Sequence, residues 1–175
     1  MKPNHEKFNL VAIRQIIAQN PRLSALDLQA KIAAPEVEIM IAMSDAAVEI
    51  PLTDLEAVLE NIRSWGEVMS LIRNRDAVCE LKFPAATLYR TNDWLNSIDL
   101  AYNLHIRIAN TRRILLLVKA NHKRDGQTAS LNFANAAGHV FWRVYAQSEM
   151  AQEQFKGLME HYGKEGGLEG WKAGI

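Results

Sequence analysis

The hydrophobic period of this chain changes at Gly66, and that change limits what it can become. Before it, Leu55, Val58, Leu59 and Ile62 recur at i, i+3, i+4 and i+7, the stripe of a helix with one buried face. Thr53 and Glu56 form a T-x-x-E capping box that predicts a helix over 53–65, and Gly66 suits the left-handed position after it. After Gly66 the period is two. Residues 67–73 and 77–83 read as a hairpin around Asn74-Arg75-Asp76, with Cys79, Leu81 and Phe83 on one face. Cys79 is therefore expected to be a small core residue. Residues 104–109 and 113–120 read as a second pair around Asn110-Thr111-Arg112, and 128–134 with 139–146 as a third. Ile114–Val118 is apolar on both faces, as in a central strand covered twice.

Helical periods flank this block. Val11, Ile13, Ile16 and Ile17 form a stripe ending at Asn20-Pro21, Ser24 with Asp27 makes a second capping box, and Pro35 starts a helix through Met43. A last helix opens at Ser148, carries Phe155, Leu158, Met159 and Tyr162, and is expected to stop at Gly163. Helices, then antiparallel strands, then a helix define an α+β chain. We expect a helical N-terminal segment (1–50) packed on a main domain (51–163), followed by a flexible glycine-rich tail (164–175).

Three short N-terminal helices resemble a helix-turn-helix module, but residues 1–50 hold five Lys/Arg against six Asp/Glu. A segment with a net charge of −1 lacks the basic face that the phosphate backbone requires, and over the whole chain twenty basic residues balance twenty acidic ones. No nucleic-acid partner is expected. No apolar run approaches the roughly 18 residues needed to span a bilayer, the N-terminus lacks a signal pattern, and the single Cys79 excludes an internal disulfide. We expect a cytoplasmic protein without membrane insertion.

Phosphate loops, H-E-x-x-H and EF-hand patterns are missing, and the five histidines are not spaced as a cluster. Two positive signals remain. Residues 103–124 contain six basic residues (Arg107, Arg112, Arg113, Lys119, Lys123, Arg124) and no acidic one. In "NLHIRI", Leu104, Ile106 and Ile108 alternate with His105, Arg107 and Ala109, so the pleat displays an imidazole and a guanidinium on its open face. His139, Phe141, Arg143 and Tyr145 share a face in the same way. A flat apolar ligand with acidic groups suits such surfaces. Haem is one: its iron takes a single imidazole, its macrocycle apolar walls and its propionates Arg or Lys.

The stretches "WGEVMSLI" at 65–72, "HIR" at 105–107 and "TASLNF" at 128–133, in that order, resemble the ChuX/HutX family of cytosolic haem-utilisation proteins. The resemblance runs from about Thr53 to Tyr162. It implies a strongly curved, split antiparallel sheet with flanking helices and a homodimer that resembles the two-repeat haem proteins. It also implies haem (iron protoporphyrin IX) as cofactor, with delivery to a haem-degrading enzyme or a haem transporter. His105 falls on the histidine of the family's H-I-K/R strand and is the expected iron ligand. Arg73 falls where the family has a second haem-associated histidine, and Trp94 where it has a tyrosine proposed as an iron ligand. An indole does not coordinate iron but stacks on a macrocycle; a guanidinium does not coordinate but holds a propionate. Arg107 adds a second propionate partner, and Tyr102 and Tyr89 are nearby phenols. The expected function is a non-enzymatic haem carrier. Its alternatives are the same fold without haem, acting as a structural or interaction dimer, and a haem-degrading enzyme.

Overall fold

The structure, a computed structural model, describes residues 9–120 and 126–166. Helices α1 (Leu10–Gln19), α2 (Ala25–Gln29) and α3 (Glu36–Ala42) come first. Strand β1 (Ala46–Ile50) leads to α4 (Leu55–Arg63). The strands β2 (Glu67–Arg73), β3 (Val78–Pro84), β4 (Tyr89–Thr91), β5 (Trp94–Ile98), β6 (Asn103–Ile106), β7 (Arg113–Ala120), β8 (Gln127–Ala134) and β9 (Val140–Tyr145) follow, and α5 (Glu149–Gly166) closes the order. They form a six-stranded sheet, β1-β7-β8-β9-β2-β3, and a three-stranded sheet, β4-β5-β6. Every pairing is antiparallel. The α+β order is the one expected from the change of period, and the split of the sheet is the one the family resemblance implies.

The large sheet has a core on each face. Ile114, Leu116 and Val118 of β7 join Phe133, Trp142 and Val144 in a first core, closed by the small sheet, α4 and α5. Trp142 is fully buried, stacks on Phe133 at 4.7 Å, and donates its indole N–H to Ser70 Oγ at 2.8 Å. Leu115 and Leu117 point the other way into a second core with Ile13, Leu28, Val37 and Ile39 of the N-terminal helices. The doubly apolar run 114–118 is thus a central strand covered twice.

Several local expectations hold. Ser24 and Asp27 make both hydrogen bonds of a capping box, worth about 1 kcal/mol. Gly66 takes φ +73° after α4. Ser148 Oγ accepts from the Ala151 N–H at the start of α5; the expected stop at Gly163 is corrected, because that helix continues to Gly166. Of the expected tail, 167–175 lies outside the described residues, as do 1–8 and 121–125, which include His5, His122, Lys123 and Arg124.

Others are corrected. Residues 46–50 are a strand, so the first fifty residues are not all helical. Thr53 does not cap α4: Pro51 starts a 3₁₀ turn in which the Asp54 N–H donates to Pro51 O, and Glu56 pairs instead with Arg90. Strand β6 pairs with β5, not β7. The link between β6 and β7 is a 3₁₀ turn, Ile108–Asn110, whose fully buried Ile108 anchors it in the first core and sends the two strands to different sheets. Cys79 is exposed, because the outer end of the β2–β3 ribbon runs beyond the covering layer. Val140 faces the second core while Trp142 faces the first, since an irregularity in the β8–β9 register between Phe133 and Ala134 changes the side that β9 presents.

Candidate functional site

The small sheet is built by a tight turn. Thr91 pairs with Trp94, leaving Asn92 and Asp93 between them, and Asn92 sits at φ +51°, a left-handed position that asparagine tolerates. Leu95 of β5 and Leu104 and Ile106 of β6 point into the first core. The pleat therefore sends Trp94, Asn96 and Ile98 outward, and His105 with them. Tyr89, Asn96 and His105 lie in one row across the three strands. Tyr89, Trp94 and Ile98 are about half exposed, and Leu100 in the following loop is fully so. An exposed apolar surface thus surrounds one exposed imidazole, which is a feature that calls for an occupant.

His105 Nδ1 lies 2.7 Å from Oδ1 of Asn96, which is itself buried. The Arg107 guanidinium carbon is 5.9 Å from the Trp94 ring centroid, and its Nη2 is 3.5 Å from Asp93 Oδ2 with both side chains 56% exposed. A surface ion pair of this kind contributes about 0–1 kcal/mol, so Arg107 is easily redirected to another anion. These groups match the chemistry of haem: a nitrogen donor, apolar area for a macrocycle, and a cation for a carboxylate.

The structure brings together His105, Arg107 and Trp94 but separates the other two expected residues. Tyr102 turns inward, with its hydroxyl 3.2 Å from Ser97 Oγ and its ring packed 6.0 Å from Phe83. Arg73 lies on the second-core side of the large sheet, where Nη2 bonds Glu36 Oε1 at 3.2 Å. Its buried Nε has no hydrogen-bond partner.

Arg73 instead lines a cleft of about 880 Å³ between the N-terminal helices and the β2–β3 and β8–β9 turns. Leu26, Ile32, Val140 and Phe141 supply apolar walls, and Arg73, Arg75 and His139 supply basic groups. On the same sheet face, buried Arg143 bonds only neutral partners: Asn132 Oδ1 at 2.7 Å, Tyr145 Oη at 3.1 Å and Met40 Sδ at 3.0 Å. Burial pushes the Lys119 pKa down, and the fields of Arg143 and Arg73 push it further, against a weaker pull from Asp45. Glu36 also lines the cleft and pairs with Arg73, so Arg143 is the guanidinium on this face that has only neutral partners among the described residues. The irregularity in β9 takes Val140 to the second-core side and sets Phe141 against the first core, so of the expected row His139, Phe141, Arg143 and Tyr145 only the shared face of Arg143 and Tyr145 was readable in the sequence. The N-terminal helices opposite it were not, nor was Asn96, whose only signal is a polar residue on the outer face of a five-residue strand.

A sheet split in two, with a helical layer on one face of its larger part, defines a small α+β fold with two partly apolar surfaces that carry imidazole and guanidinium groups. The haem utilisation ChuX/HutX family profile matches residues 48–158, and the chain belongs to that family. None of the curated proteins is similar to it at a significant level. Among solved structures, the heme binding protein ChuX superposes with a TM-score of 0.68 at 15% identity, over 85% of this chain and 97% of that one. Holo-PhuS, a heme-binding protein from Pseudomonas aeruginosa, gives 0.73 at 19% identity, over 92% of this chain and 46% of that one. The heme degrading enzyme ChuS of Escherichia coli O157:H7 gives 0.74 at 18% identity, over 87% and 47%. The chain therefore spans about half the length of the last two. No helix among the described residues is long and apolar enough to cross a membrane.

Proposed function

We propose that this protein is a cytoplasmic haem carrier, a homodimer that passes haem to a haem-degrading enzyme or a haem transporter without altering it. The observation that carries this reading is His105 exposed within an apolar surface, beside a loosely held guanidinium. Haem would supply the iron and a flat apolar ring. His105 would offer the imidazole, Trp94 would cover part of the macrocycle, and Arg107 would leave Asp93 for a propionate.

A second placement is favoured by the cleft. Its volume of about 880 Å³ lies within the range of ligand pockets. There His139 would be the nitrogen donor, and Arg73 and Arg75 would face the propionates. Tyr102 has no part in either placement, because its hydroxyl is engaged with Ser97 on the inner side of the small sheet.

Haem titration followed at the porphyrin absorbance band separates these readings. With the first placement, His105→Ala weakens binding and changes the spectrum while His139→Ala does not; the second predicts the reverse. Absence of saturable binding at micromolar haem would sink both and favour a structural or interaction dimer of the same fold. Conversion of bound haem to a bilin under ascorbate would replace the carrier reading with a degrading enzyme.

A further inference from the structure

We infer that Asn96 is a positioning residue, which holds the His105 ring so that Nε2 is the unprotonated, outward-facing nitrogen. The inference rests on the reading of His105 as the iron-binding group. It adds how this chain prepares that group.

Asn96 is 7% exposed, lies opposite His105 in the β5–β6 register, and sits between Tyr89 and His105 in the outer row. A buried amide at the centre of a three-stranded sheet is costly unless it is hydrogen-bonded. Its two polar atoms have different partners. Oδ1 is 2.7 Å from His105 Nδ1, and Nδ2 is 3.5 Å from the Trp94 carbonyl oxygen. Reversing the amide would set Oδ1 against the Trp94 carbonyl, oxygen facing oxygen. The orientation that satisfies both sides keeps Nδ2 toward the carbonyl and Oδ1 toward the ring. An amide oxygen only accepts, so His105 Nδ1 must carry the hydrogen. The neutral imidazole then has its lone pair on Nε2, on the exposed side of the ring.

A metal-binding imidazole is commonly held in this way by a carbonyl or carboxylate behind it. The acceptor here is a neutral amide rather than a carboxylate. It fixes the tautomer while leaving the imidazole a weaker donor than an aspartate would make it. That balance suits a protein that must release what it binds.

The first experiment needs no haem. Long-range nitrogen–proton NMR on the protein alone, at a pH well above the ordinary imidazole range, reads the His105 tautomer directly. The wild type and Asn96→Asp are expected to carry the proton on Nδ1, and Asn96→Ala to shift the population toward the Nε2-protonated form. A wild-type ring protonated on Nε2 would overturn the inference, as would an unchanged tautomer in Asn96→Ala. If Asn96→Ala does not fold, the wild-type tautomer and Asn96→Asp decide. The second experiment measures haem release to apomyoglobin. Asn96→Ala is expected to bind haem roughly 10- to 100-fold more weakly, and Asn96→Asp to release it more slowly than wild type. Release rates identical in all three proteins would overturn the role. If His105→Ala leaves the haem spectrum unchanged, the ligand reading fails, and the tautomer result still decides whether Asn96 orients the ring.

Discussion

His105 looks outward because Leu104 and Ile106 look inward, and nothing more than the pleat is needed to put it there. The same rule misplaces Cys79. Its face was predicted correctly, but burial also needs a layer opposite, and the outer end of the β2–β3 ribbon has none. Cys79 is expected to react with a thiol reagent in the native protein at nearly the rate seen in urea; protection of more than tenfold in the native state would contradict its exposure. Lys119 is a residue whose charge the fold disfavours. Its folded pKa lies below the ordinary 10.5, mainly through burial. Between the folded pKa and 10.5 the unfolded chain binds more protons, so this residue's penalty is full at neutral pH and shrinks as pH rises through that window. Lys119→Met is expected to raise the urea midpoint at neutral pH, with the gain fading toward pH 10.5. Denaturation curves at two pH values check this, and a gain that grows with pH would refute it.

Elements meet at turns whose chemistry is local and whose consequences are not. Gly138 closes the β8–β9 turn at φ +75°, and its carbonyl accepts from the Val37 N–H at the start of α3. A Cβ at this position would lie 2.5 Å from the Pro35 Cβ. Gly138→Ala combines that clash with left-handed strain, together destabilising by about 1–3 kcal/mol. Hydrogen exchange should show the loss concentrated in α2 and α3; uniform loss across both sheets would mean the turn does not hold the helices. The link between β6 and β7 shows the limit of local reading. Asn110-Thr111-Arg112 has the composition of a hairpin turn. Ile108 is buried, however, and Thr111 Oγ1 donates to its carbonyl at 2.7 Å, so the segment becomes a crossing between sheets.

On the scale of the whole molecule, one sheet separates two cores, and a partly buried ionic group ties the N-terminal helices to it. Arg113 of β7 bonds both carboxylate oxygens of Glu49 on β1, at 2.8 and 2.9 Å, and reaches Glu38 on α3. Burial opposes the charge of Arg113, but the hydrogen bonds and fields of Glu49 and Glu38 outweigh it and hold its pKa above the ordinary value. Removing one member of such a group strands the others. Arg113→Met is expected to destabilise by about 3–5 kcal/mol in urea unfolding, and Glu38→Gln in the same chain to recover part of it. Purely additive losses would show that the three charges do not act together.

The sequence by itself determined which residues of β6 and β7 face the cores, that β7 is central, where Ser24 starts a helix and where Gly66 lets one end. These follow from periods of two and 3.6 and from backbone preferences that act over a few residues. The family resemblance was also legible, because its motifs lie along single strands. Only the tertiary structure decided which strands pair, since β1 and β7 are neighbours in space but more than sixty residues apart in the chain. It also decided which expected residues share a surface. His105, Arg107 and Trp94 meet through the β4–β5 turn and the β5–β6 register, and Asn96 joins them behind the ring. Arg73 goes to the opposite side of the core, because its strand belongs to the other sheet and the second-core face of that strand offers it Glu36. Side-chain alternation is local and therefore readable; the choice of pairing partner depends on the burial gained by the whole chain.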